Sequence, residues 1–152
     1  MLKRIAIFAS LPFIASCTVL TPSSEIIPYY QVATIKPYDD VLTDLQVAIA
    51  EHNFRITAHS RVGKVIRERG ADNYPEFDTI QFCNLTQAKI MLDISPEAIG
   101  FMPCNIVAYQ RGGETIIKIH LLPEDNANQA LNKFALEMNP QLRQIVDFAA
   151  QP

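Results

Sequence analysis

Three cysteines, three histidines and a few methionines are the residues of this chain whose chemistry can go beyond packing. Cys83 and Cys104 each precede an asparagine, in Cys83-Asn84 and Cys104-Asn105. Such a pair of thiols has three fates. It can close a disulfide, the usual outcome for an even pair in an exported protein. The loop closed would span about 22 residues, for which the chain-entropy model gives ~3 kcal/mol of stabilisation. It can stay as two buried, inert thiols, or it can act as a redox or metal-binding pair. Metal binding would draw on His59 and His120, with the thioether of Met102, because Cys/His sets suit zinc or copper. No Cys-x-x-Cys, His-x-x-x-His or haem-attachment spacing marks such a site. His120 alternates with Ile116 and Lys118 and so faces solvent or a partner. His59 ends a strand beside Arg61, and His52 ends a helix, where a cation suits the dipole. There is no Gly-x-Ser-x-Gly, no phosphate-cradling loop and no readable Ser/His/Asp order. No cofactor and no catalytic activity are expected.

The third cysteine has a different use. Met1-Leu2-Lys3-Arg4 opens the chain, Ile5 to Ile14 is mostly apolar, and Ile14-Ala15-Ser16-Cys17 follows. The apolar run is the length of a signal-peptide core and too short for a membrane span of ~20 residues. The order matches the lipobox of bacterial lipoproteins, in which the Cys thiol takes a diacylglycerol and becomes the first mature residue. Residues 1–16 are thus read as signal peptide and residues 17–28 as the lipidated Cys17 and a tether rich in Thr, Ser and Pro. Thr18, rather than Asp, after the cysteine leans towards the outer membrane. Two or three acyl chains at ~0.8 kcal/mol per buried methylene would hold the protein at the envelope, facing the periplasm. The formal charge is −3, and cleavage of Lys3 and Arg4 makes the mature chain more acidic. That balance excludes a nucleic-acid partner and leaves membrane attachment to the lipid.

The elements that must position Cys83 and Cys104 are legible as patterns in residues 29–150, one domain. Tyr29 to Lys36 alternates as a strand and Pro37 ends it. Val41, Leu42, Leu45, Ala48 and Ile49 form a helical stripe behind Asp39 and Asp40. Phe54, Ile56 and Ala58 alternate with Arg55, Thr57 and His59 as a half-buried strand. Val62 to Gly70, with Lys64, Arg67 and Arg69, reads as a short exposed helix or a loop. Phe77 to Cys83 is a strand with Ile80 and Phe82 inward. Asn84 caps a helix, with Gln87 in capping-box position, that buries Leu85, Ala88, Met91 and Leu92. Ser95-Pro96-Glu97 starts a helical turn. Pro103 leads into the strand Cys104 to Gln110, and Gly112-Gly113 makes a two-residue hairpin turn. Thr115, Ile117, Ile119 and Leu121 share one face of the return strand. Leu131, Phe134, Ala135 and Met138 form a last helix. Asn139-Pro140 then fits an N-cap opening a second segment, or else a kink in one helix. Hairpin-joined strands with helices kept to one face give an α+β fold.

Phe82-Cys83-Asn84 and Met102-Pro103-Cys104-Asn105-Ile106-Val107-Ala108-Tyr109, with Ala88-Lys89 between them, resemble the domain-of-unknown-function family 302. The resemblance runs from about Tyr30 to Phe148. It implies a curved antiparallel sheet packed on helices, a β-α-β(4)-α-like sandwich, and often a homodimer. It implies no reaction. Asn105 stands where many members carry Arg, so an anion-binding role for that Arg is absent here. Some members keep Cys at both cysteine positions. The expected function is a lipid-anchored periplasmic binding or interaction module for an unknown ligand or protein. Its pocket would lie between sheet and helices, near Cys83, Asn84, Met102, Pro103, Cys104 and Tyr109. The alternative is a thiol-redox or metal-handling protein using Cys83 and Cys104.

Overall fold

The computed structural model describes residues 28–152. Cys17, the signal segment and the tether up to residue 27 lie outside the described residues. Strand β1 (Tyr29–Thr34) turns Tyr30 and Val32 towards the core and leaves Tyr29, Gln31 and Ala33 outside. It ends two residues before Lys36, because the Lys36 amide bonds back to Thr34 Oγ1 at 3.2 Å and turns the chain. Helix α1 (Tyr38–Glu51) begins after Pro37 without a side-chain cap. Asp39 and Asp40 sit in its first turn, where the dipole favours negative charge. Its apolar stripe, from Val41 to Ile49, is buried. Asn53, at φ 60°, closes the helix and turns the chain into β2 (Arg55–Arg61). Asparagine is among the few side chains that take this left-handed conformation readily.

The alternation expected of β2 breaks at a bulge between Ile56 and Ala58. The extra residue flips the parity of the strand. Ala58 is therefore exposed, and His59 stands opposite the buried Ile80. Residues 62–68 form a helix, α2 (Val62–Glu68). Gly63 lets α2 lie against the chain entering β3 (Phe77–Cys83): a Cβ there would meet the Pro75 carbonyl oxygen at 2.4 Å and the Phe77 nitrogen at 2.7 Å.

Asn84 caps α3 (Leu85–Ile94), its Oδ1 accepting from the Thr86 and Gln87 amides. The buried stripe of α3 differs from the one expected. Leu85 is 82% exposed, and Met91 is the fully buried residue. Leu85 sits at the first helical position, one turn before the stripe turns inward. A 3₁₀ turn (Pro96–Phe101) leads to β4 (Cys104–Arg111). Gly112 and Gly113 both take positive φ and join it to β5 (Glu114–His120).

The C-terminal helix α4 (Gln129–Ala150) is continuous, not two segments. Its N-cap is Asn128, whose Oδ1 accepts from Ala130 and Leu131. Asn139 is no cap. It is buried within the helix, and its amide is spent on the chain after β5. Pro140 interrupts one helical hydrogen bond, to the Leu136 carbonyl, but Pro140 and Leu136 both lie on the exposed side, where water can replace it.

The five strands form one antiparallel sheet in the order β1-β5-β4-β3-β2. One face carries Ile80, Phe82, Ile106, Ala108, Ile117 and Ile119, and α1 and α4 pack across it and against each other. The fold is α+β, a sheet packed on helices. Each such side chain, fully buried, contributes ~1.5–3 kcal/mol relative to exposure.

Candidate functional site

The strand register decides where the sulfurs go. Cys83 is the last residue of β3 and Cys104 the first of β4. Phe82, not Cys83, pairs with Cys104, so the two cysteines are offset by one residue. Both are free thiols. The disulfide, one of the three expected fates, is not formed in this structure. That offset puts the Cys104 side chain on the helix-facing side with Phe82 and the Cys83 side chain on the other face, and both residues border a recess at this end of the sheet.

The recess is built from five stretches of the chain. Cys83 and Cys104 come from the sheet; Asn84, Ala88 and Met91 come from α3. Phe101 ends the 3₁₀ turn and Met102 follows it, Phe134, Met138 and Leu142 come from α4, and Phe54 and Leu122 fill the sides. Its volume is about 30 Å³. An adjoining cleft of about 240 Å³ shares Phe101, Met102, Cys104, Leu122 and Leu142 with it. Pro103, Gln81, Asn105 and His120 complete the cleft wall. The Asn105 side-chain oxygen is buried there without a hydrogen-bond partner.

Burial dominates the electrostatics. It pushes the Cys104 thiol up from an ordinary 9.0 to about 11, and the nearby Cys83 adds to the shift. A negative charge at Cys83 disfavours a second one at Cys104. The recess lining includes no Asp, Glu, Lys or Arg.

The other expected site residues are placed as follows. Asn84 and Met102 line the recess, and Asn84 also ties α3 to the end of α1 by donating to the Asn53 carbonyl at 3.0 Å. Pro103 is in the adjoining cleft. Tyr109 does not join them. Five residues of extended strand separate it from Cys104, about 17 Å. It stacks on Phe77 with centroids 5.7 Å apart. The odd spacing also puts it on the opposite face of β4. His120 packs edge-on to Tyr29 at 4.2 Å, and Lys118 lies 3.7 Å over the same ring. Burial first, and Lys118 second, lower the His120 pKa. His59 is committed elsewhere: its Nε2 lies 2.6 Å from Asp78 Oδ2. Among the described residues no three His, Cys, Asp or Glu side chains gather as a metal cage.

Two features escaped the sequence. Asp78 is a buried carboxylate, 3% exposed, between His59 and Tyr38. Its position on the inward parity of β3, in register with Ile80 and Phe82, was the available signal. Met91 and Met138 read as ordinary stripe residues of α3 and α4. Their meeting with Met102 and the cysteines is a tertiary fact with no local signature.

No curated protein matches the chain. A solved structure, the uncharacterized conserved protein DUF302 from Bacillus stearothermophilus, superposes with a TM-score of 0.70 at 21% identity. The match covers 81% of this chain and 98% of that one. At that identity it speaks for the fold alone. The model of the domain of unknown function DUF302 matches residues 30–149, nearly everything from β1 to the end of α4, and the chain therefore belongs to the DUF302 family.

Proposed function

We propose that this protein is a lipid-anchored binding module of the cell envelope. Cys17 carries the lipid, the following residues form a tether, and the recess at the sheet–helix junction takes a small ligand. The observation that carries the binding reading is the recess itself. Chain segments distant in sequence converge there on an apolar lining with two free thiols, and a wider cleft adjoins it. A redox-active dithiol is the weaker reading. Such chemistry needs an accessible thiol of lowered pKa, and Cys104 is largely buried and shifted the other way.

The test has two arms on the full chain, expressed in a bacterial host that processes lipoproteins. In the first, the wild type is expected in the membrane fraction with a diacylglycerol mass increment, and Cys17→Ser in the soluble fraction without it. Equal partition of the two would overturn the anchor. In the second, native mass spectrometry of gently purified protein is expected to show a bound species, lost when Ala88→Phe fills the recess. Identical spectra from the two proteins would overturn the binding reading.

A further inference from the structure

We infer that the cleft beside the recess binds a small, planar, uncharged molecule by an amide-like edge, an N–H donor next to a C=O acceptor, held by Asn105 and Gln81. The inference rests on the binding reading above and names the class of ligand and the wall that recognises it. Strand register builds that wall. Gln81 in β3 stands opposite Asn105 in β4, and His120 in β5 takes the next place after the Ile106–Ile119 pair. Ile80, Phe82, Ile106 and Ile119 turn into the core, so these three neighbours turn to the face away from the helices. They make one row across three strands, ~10 Å long at the usual strand spacing. All three line the cleft, which runs round this end of the sheet.

Asn105 is the residue that asks for a ligand. Its side-chain oxygen is buried and has no hydrogen-bond partner. A carbonyl oxygen shut away without a donor has lost its hydration for nothing, and folded proteins keep few such groups. The last bond of a carboxamide turns easily, so a donor arriving in the cleft can draw the oxygen round to meet it. A carboxamide carries an acceptor and a donor side by side. Its complement is the same pair reversed, joined by two parallel hydrogen bonds, as when Asn or Gln reads the edge of adenine. Gln81 offers a second such group beside the first. His120 adds a ring nitrogen at the end of the row. Burial first, and Lys118 second, lower its pKa, which favours the uncharged ring.

Size and charge narrow the class. The cleft holds about 240 Å³, below the ~300–1,000 Å³ of pockets for drug-sized ligands, so it suits a single ring. Phe101, Met102 and Pro103 give that ring apolar surface to lie against. The cleft lining includes no Asp, Glu, Lys or Arg. An ionic ligand would give up hydration there and meet no counter-charge. Lys118, two residues from His120 on the same face, lies over the Tyr29 ring at 3.7 Å.

The experiment is a ligand-observed NMR titration of the full chain in detergent with nicotinamide and with nicotinate. The two probes share a ring and differ in carboxamide against carboxylate. Nicotinamide is expected to bind once per chain, and nicotinate at least about 10-fold more weakly. Asn105→Leu keeps the side-chain size and removes both hydrogen-bonding atoms, so it should weaken nicotinamide about 10-fold. The same change removes the orphaned oxygen, so the urea midpoint should not fall, which separates lost binding from lost fold. Ala88→Phe fills the recess and not the cleft, and should leave the nicotinamide affinity unchanged. Equal affinity for the two probes, unchanged affinity in the Gln81→Met/Asn105→Leu double variant, or no nicotinamide binding at millimolar concentration would overturn the inference. A native adduct still lost in Ala88→Phe would then leave the binding module standing without it.

Discussion

Asp78 and Cys104 show how the inner face of the sheet treats groups that would rather be wet. The Asp78 carboxylate is shut in by the fold and meets His59, and Tyr38 donates to the Ala108 carbonyl at 3.0 Å beside it. Burial first, and Asp78 second, raise the Tyr38 pKa, so the phenol is locked in its neutral form. Removing His59 would leave a buried carboxylate without its partner. His59→Ala is expected to lower stability by about 1–3 kcal/mol in urea unfolding, more than an exposed histidine would. The Cys104 thiol supplies a pH prediction. Its folded pKa is raised from 9.0 to about 11. The folded state then holds its proton more tightly than the unfolded state. The associated stability is fully present below pH 9 and is lost as pH rises through about 11. The loss is on the order of 2 kcal/mol. Unfolding of the reduced protein followed from pH 8 to 11 should show this decline, and Cys104→Ser should flatten it.

Among the elements, one contact sets a wall of the recess and another seats a helix against the sheet. Asn139 in α4 grips the strand exit: Leu122 N donates to its Oδ1 at 2.9 Å, and its Nδ2 donates to Leu122 O at 2.9 Å and to Glu124 Oε1 at 2.7 Å. Leu122 lines both the recess and the cleft, so the grip sets one wall. Asn139→Ala strands the Leu122 amide and carbonyl and is expected to cost about 1–3 kcal/mol, read as a lowered urea midpoint. Gly63 is the second contact. Alanine is the better helix former by roughly 1 kcal/mol, yet its Cβ has backbone atoms in its way at 2.4 and 2.7 Å. Gly63→Ala should therefore destabilise, by about 1–3 kcal/mol, as overpacking does. A gain in melting temperature would contradict the close approach.

Elements with strong periodicity were readable from the chain alone. β5 alternates cleanly, the α1 stripe repeats at helical spacing, and Gly112-Gly113 can be only a tight turn. Where the reading departed from the structure, a non-local contact had intervened. The bulge at Ile56–Ala58 is set by pairing with β3 and turns His59 inward. Asn139 looked like a cap because its polar side chain fits one, and the partner it actually uses lies 17 residues away.

Taken whole, the molecule is a five-stranded sheet with helices on one side, and its chemistry collects where that packing opens at one end of β3 and β4. The cysteines were legible as a pair from the start. The recess around them was legible only in part, through Asn84 and Met102, because Met91 and Met138 arrive from helices whose docking no local pattern encodes. In the proposed account, residues distant in sequence line a recess that takes a small ligand, carried at the envelope on the lipid of Cys17. The most direct measurement is native mass spectrometry of the gently purified full chain beside its Ala88→Phe variant. The account expects a bound species on the wild type that the variant lacks. Identical spectra from the two proteins would contradict it.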